Sequence, residues 1–92
     1  MKVLELFSDP STWVQGAYAA NKEGIPLPIH DPFSVSFCLV GAISKCYKRD
    51  TKEFVEVEAK VLAELGSPIS YWNDEPGRTF QEVLDLVTKL DI

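Results

Sequence analysis

Ninety-two residues make one domain with one modest core, because a chain of this size buries roughly two-thirds of its surface on folding. Hydrophobic residues at 46% with charged residues at 25% are ordinary globular composition and exclude a disordered chain. A net charge of −5 argues against a nucleic-acid partner, whose phosphates must be met by Lys and Arg. No run reaches the ~20 apolar residues of a membrane span, and no basic-then-apolar signal peptide opens the chain, so the expectation is a soluble, cytoplasmic protein with no membrane role.

Charge is uneven: residues 1 to 52 hold six Lys or Arg against five Asp or Glu, and residues 53 to 92 hold three against nine. The acidic surplus therefore lies in the second part. The one basic cluster, Lys45, Lys48, Arg49 and Lys52, reads as a helix C-terminus and a solvated turn.

In chain order, Val3, Leu4, Leu6 and Phe7 predict a helical turn too short to stand alone, ended by the turn chemistry of Ser8-Asp9-Pro10-Ser11. Thr12 to Ala20 alternates weakly and opens with β-branched and aromatic residues, which predicts a strand. Asn21 to Gly24 is a turn, and Ile25-Pro26-Leu27-Pro28-Ile29 is extended, confined by its prolines to an edge strand or a covering loop. His30-Asp31-Pro32-Phe33 leads onward.

Phe37-Cys38-Leu39-Val40-Gly41-Ala42-Ile43 carries seven residues without a charge or amide, so it is buried nearly all round. With Ser36 as a cap and Lys45, Lys48 and Arg49 after it, the run predicts a central helix from Ser36 to Lys48. Gly41 and Ala42 within it predict the close approach of another backbone or ring. Eight residues of helix would hold Cys38 and Cys46 about 12 Å apart, too far for a disulfide. With one histidine they make no zinc site, and no metal or cofactor is expected.

Asp50-Thr51-Lys52-Glu53 has the form of a capping box with Asp50 as cap, followed by Phe54, Val55, Val57, Val61, Leu62 and Leu65 at broadly helical spacing, with Phe54, Val61 and Leu65 on one face and Val57 and Leu62 beside them, and stopped by Gly66, Ser67 and Pro68. Thr79-Phe80-Gln81-Glu82 is a second capping box, leading Phe80, Val83, Leu84, Val87 and Leu90. Together these elements predict an α+β, predominantly helical single domain over residues 1–92, with three main helices and an N-terminal β-hairpin or extended arm.

Between the last two helices, Pro76-Gly77 fits the middle of a type II turn. It would present Asn73, Asp74 and Arg78 at a bend beside a helix N-terminus, where free amides favour an anion. A pocket rimmed by Trp13 and Trp72 with Arg78 inside would hold a carboxylate, a phosphate or a partner's acidic side chain. The alternative is structural: Asn73 and Asp74 bond backbone, Arg78 pairs with Asp74 or Glu75, and Trp72 is core.

Three motifs, Trp13-x-Gln15-Gly16, Cys38-x-x-Gly41-Ala42 and Trp72-Asn73-Asp74-x-Pro76-Gly77-Arg78-Thr79, resemble the pattern of an uncharacterised family of short bacterial and phage proteins. The resemblance implies a small soluble protein and supplies no activity. The proline-rich arm from Gly24 to Phe33 has no counterpart in those motifs.

No catalytic constellation stands out, which points to a non-catalytic binding or regulatory module acting on a protein partner or a small anionic ligand. Its candidate binding residues are Trp13, Gln15, Trp72, Asn73, Asp74 and Arg78, with Tyr71 as an exposed aromatic. The enzymatic alternative is a cysteine-dependent hydrolase or transferase in which His30 activates Cys38. Burial in the apolar run counts against it by raising the thiol pKa.

Overall fold

The computed structural model describes residues 1–92. The first turn, α1 (Val3–Leu6), closes through the Leu6 N–H to the Lys2 carbonyl at 3.2 Å and the Phe7 N–H to the Val3 carbonyl at 3.0 Å, and its surroundings dock it on the core. Val3 and Phe7 are buried, Phe7 meets Phe80 edge-on at 6.3 Å, and the Leu4 N–H donates to the carbonyl of Ile92 at 3.2 Å. Chain start and chain end thus pack on the same core, and Lys2 pairs with Asp91 at 2.6 Å beside them.

The strand predicted for Thr12 to Ala20 is corrected to a much shorter element. Pro10–Thr12 forms a single 3₁₀ turn capped by the Asp9 carboxylate, and only Ala19–Ala20 (β1) pairs as a strand. Its partner is Ser36–Phe37 (β2), antiparallel, with Ala19 opposite Phe37 and Ala20 opposite Ser36. The backbone between Trp13 and Gly16 is held mainly by side chains of a distant helix, described below, and Gly16 turns through φ +80°. On the outer side of β1 the proline arm bonds through the Leu27 N–H to the Ala19 carbonyl at 3.0 Å, with Pro26 bridged to Ala20. It is the edge position that proline tolerates.

The central helix, α2 (Leu39–Cys46), starts three residues later and ends two residues earlier than its sequence suggests. Ser36 is not its cap: Ser36 and Phe37 belong to β2, and the cap is Cys38, whose sulfur accepts the Gly41 N–H at 3.3 Å. An unbroken apolar run is buried equally well as strand or helix, so hydrophobicity alone could not place the transition. Burial itself follows expectation, since Phe37, Cys38, Leu39, Gly41, Ala42, Ile43 and Ser44 are all interior. A Cβ on Gly41 would stand 2.0 Å from the Tyr18 carbonyl oxygen, and the Cys38 N–H donates to that same carbonyl at 3.2 Å. Gly41 is the residue that lets the hairpin lie on the helix.

Helix α3 (Lys52–Leu65) buries Phe54, Val57 and Val61. Its cap is Thr51, which accepts from the Phe54 N–H at 3.2 Å, and not Asp50, which sits one residue outside with φ +69°. Leu62, placed beside the inward face, is 41% exposed on the flank of the helix, and Val55 is exposed as well. Gly66 ends the helix at φ +66°, as its sequence position predicts. A short helix then follows that periodicity did not announce, α4 (Ile69–Asp74), which buries Ile69 and Asn73 one turn apart. Six residues opened by a proline leave too little pattern to read. The bend Glu75-Pro76-Gly77-Arg78 closes through the Arg78 N–H to the Glu75 carbonyl at 3.0 Å with Gly77 at φ +87°, the type II geometry expected. It delivers α5 (Phe80–Leu90), whose Thr79–Glu82 capping box forms in full.

Helices and hairpin meet in one cluster of fifteen buried side chains, to which α1, both strands, α2 to α5 and Ile92 all contribute. The α+β reading with three main helices and an N-terminal hairpin holds. No helix is long and apolar enough to cross a membrane.

Gly41→Ala should reduce stability by about 2 kcal/mol or more, a methyl forced against backbone being costlier than ordinary overpacking. Urea unfolding of the two proteins measures this; equal midpoints would show that the hairpin can move off α2 freely.

Candidate functional site

The chain from Trp13 to Gly16 is tied to α4 by one buried amide. Asn73 has no exposed surface, and its Oδ1 accepts from the Trp13 indole N–H at 2.7 Å and from the Leu39 N–H at 2.9 Å. Its Nδ2 donates to the Val14 carbonyl at 3.2 Å and to Asp74 Oδ1 at 2.9 Å. Two donors and two acceptor positions are therefore filled, the full capacity of a primary amide. Gln15 follows the same logic, its Nε2 donating to the Asn73 carbonyl at 2.9 Å and the Glu75 carbonyl at 3.1 Å. Asp74 Oδ1 additionally accepts the Gly16 N–H at 3.0 Å.

Arg78 is equally committed. Its Nε donates to the Trp72 carbonyl at 2.9 Å, its two terminal nitrogens reach Glu82 at 2.8 Å and Glu75 at 3.1 Å, and its guanidinium lies 4.0 Å from the centre of the Trp72 ring. It pairs with Glu75 as one of the sequence alternatives had it, and with Glu82 in place of Asp74. The Thr79 N–H and the Arg78 guanidinium hold the Glu82 carboxyl below its ordinary range. Trp72 and Trp13 are half-buried and pack against the core. The structure thus brings Trp13, Gln15, Asn73 and Asp74 into one network, sets Arg78 with Trp72 beside it, and forms no pocket with Arg78 inside.

A cleft does open on the other side of this network. It has a volume of about 340 Å³ and is lined by Gly16, Ala17, Tyr18, Cys38, Ser70, Tyr71 and Asp74. Hairpin, α2 cap and α4 each supply a wall. Tyr18 and Tyr71 at its border are 59% and 74% exposed. Sequence reasoning missed Ala17, Tyr18 and Ser70. They belong to segments some fifty residues apart, and only the packing of Asn73 against Val14 brings them together, so no spacing signal could have found them.

Cys38 lies on the floor of this cleft with 3% of its surface exposed. Burial raises its thiol pKa, the Gly41 and Val40 N–H groups pull the other way, and the Asp74 carboxylate adds to the rise. The net direction is upward, towards the protonated thiol. His30 is exposed on the turn after the proline arm and does not line the cleft. The structure therefore does not bring His30 and Cys38 together there as nucleophile and base. Cys46, the other free thiol, is pushed up to about 11 mainly by burial.

The fold and these three interlocked segments define a small α+β domain built around a shared polar network. The chain belongs to the family of unknown function DUF6197, whose model matches residues 2–90. No curated protein matches the chain. No solved structure matches it either.

Asn73→Ala leaves the Trp13 indole N–H, the Leu39 N–H and the Val14 carbonyl without their partner, and at about 1–3 kcal/mol for each orphaned group the loss in urea-unfolding stability should be several kcal/mol. An unfolding free energy within 1 kcal/mol of wild type, on the order of one ordinary hydrogen bond, would show that water replaces the amide. Alkylation of Cys38 by iodoacetamide in folded protein should be much slower at pH 7 than that of free cysteine, rising only above the usual thiol pKa because the folded value is raised. Fast labelling at neutral pH would contradict the direction of that shift.

Proposed function

We propose that this protein is a non-catalytic binding module that acts by contact with a protein partner, through the face on which the Tyr18–Tyr71 cleft opens. The observation that carries this reading is the pairing of two well-exposed tyrosines from separate segments over a base fixed by Asn73, Gln15 and Asp74. Tyrosine offers large contact area at low conformational cost and suits an interface with a wet rim. A preorganised base reduces the ordering cost of binding.

On this reading the three motif segments are the scaffold, and Trp13, Gln15, Asn73 and Arg78 support the recognition face from behind. Asp74 alone of the candidate binding residues reaches the cleft. The Arg78 guanidinium, already balanced by two carboxylates, favours a protein partner over a small anionic ligand. The acidic second half of the chain suits a basic target, in the cytoplasm of a bacterium or of a phage-infected host.

A second reading keeps Cys38 as the nucleophile of a small hydrolase or transferase, because the thiol does line the cleft. Its raised pKa and the lack of a histidine on the cleft walls weigh against it.

A photoreactive phenylalanine analogue at position 71 should give a discrete covalent adduct in bacterial lysate that excess unlabelled wild-type protein suppresses and Tyr18→Ala removes. The same analogue at Val55, exposed on α3, should give none. Equal adducts at both positions, or none at 71, would overturn the reading.

A further inference from the structure

We infer that the cleft takes a basic side chain, arginine or lysine, displayed on an extended segment of the partner protein. The inference rests on the reading of this face as a protein-contact surface and specifies its chemistry. Asp74 is a positioned carboxylate: Oδ1 is anchored by the Gly16 N–H and the Asn73 amide, whereas Oδ2 has no hydrogen-bond partner. A carboxylate fixed through one oxygen presents the other without further ordering, which is how charge-assisted bonds gain their strength.

The rest of the cleft fits a cation. None of its seven lining residues is basic, and the nearby Arg78 is held by Glu75 and Glu82. Ser70 also lines the cleft and offers its hydroxyl as a second acceptor. Tyrosine at both borders supplies the aromatic surface that guanidinium and ammonium groups favour. The chain's net charge of −5 also draws a positive group by long-range steering. An extended segment fits because Ala17 makes no backbone hydrogen bond in the fold, leaving its N–H and carbonyl open beside the cleft for a partner strand.

The test uses three blocked pentapeptides, Gly-Gly-X-Gly-Gly with X as arginine, glutamate or glycine, titrated into the ¹⁵N-labelled full chain. The arginine peptide should shift the amides of residues 16–18 and 70–74 saturably, and the other two should not. Asp74→Asn keeps an oxygen for the Gly16 N–H but loses the charge, and should weaken the arginine peptide by about ten-fold or more, the scale of a lost charged hydrogen bond. Ser70→Ala should weaken it by a smaller factor. Equal response to the glutamate or glycine peptide, shifts elsewhere on the surface, or an unchanged affinity in Asp74→Asn would overturn the inference. So would tighter binding of spermidine than of the arginine peptide, which would mark a free-amine site. Formation of the position-71 adduct with no binding of the arginine peptide to the wild-type chain would remove this inference and leave the contact surface intact. Peptide binding without any adduct would remove the contact surface instead.

Discussion

One side chain has no substitute in this molecule. The Asn73 amide joins three pieces of chain: the Trp13–Val14 segment, the first turn of α2 at Leu39, and its own helix α4. Buried and fully satisfied, such a group fixes relative position in a way apolar contact cannot, because each bond is directional and each lost partner leaves a costly orphan. Gln15 and Asp74 extend the same network to the Glu75 carbonyl and to Gly16. The hairpin can then be short, two residues per strand, because side chains hold what a longer ladder would otherwise hold.

The second constraint is steric. Gly41 admits the Tyr18 carbonyl to the surface of α2 at a distance no Cβ would allow. Polar network and bare helix surface act on the two ends of the same segment, Trp13 to Tyr18, and their joint result is the cleft. Its walls come from three parts of the chain, the segment from Gly16 to Tyr18, the α2 cap and α4. The exposed aromatic groups and the half-free carboxylate stand over rigid backing, the arrangement a recognition surface needs.

Much of this was legible in the residues themselves. The capping box at Thr79, the stop at Gly66, the type II bend at Pro76-Gly77 and the edge position of the proline arm all follow from local rules, because each depends on the conformational limits of a few adjacent residues. Burial of the run from Phe37 to Ile43 followed from composition. Its division into strand and helix did not, since both conformations bury such a run and the choice was made by Ala19 and Ala20 pairing from across the fold. The cap at Asp50 was misplaced because its polar neighbour Thr51 competes for the role, and the cap at Ser36 because Ser36 and Phe37 pair as a strand and leave the role to Cys38. The short α4 left no periodic trace.

The candidate site shows the sharper division. By itself the sequence determined that Asn73, Asp74 and Arg78 lie in a polar stretch around the Pro76-Gly77 bend and that Cys38 lies in the most apolar stretch, because residue chemistry and its immediate neighbours suffice for that. Only the tertiary structure decided that Asn73 points inward to four partners, that Arg78 is neutralised by Glu75 and Glu82, and that Tyr18, Tyr71 and Ser70 line one cleft with the thiol. Which partner a donor finds depends on chain segments that local preference cannot bring together. The physical reason is that hydrogen bonds and close packing are short-ranged in space yet indifferent to separation along the chain.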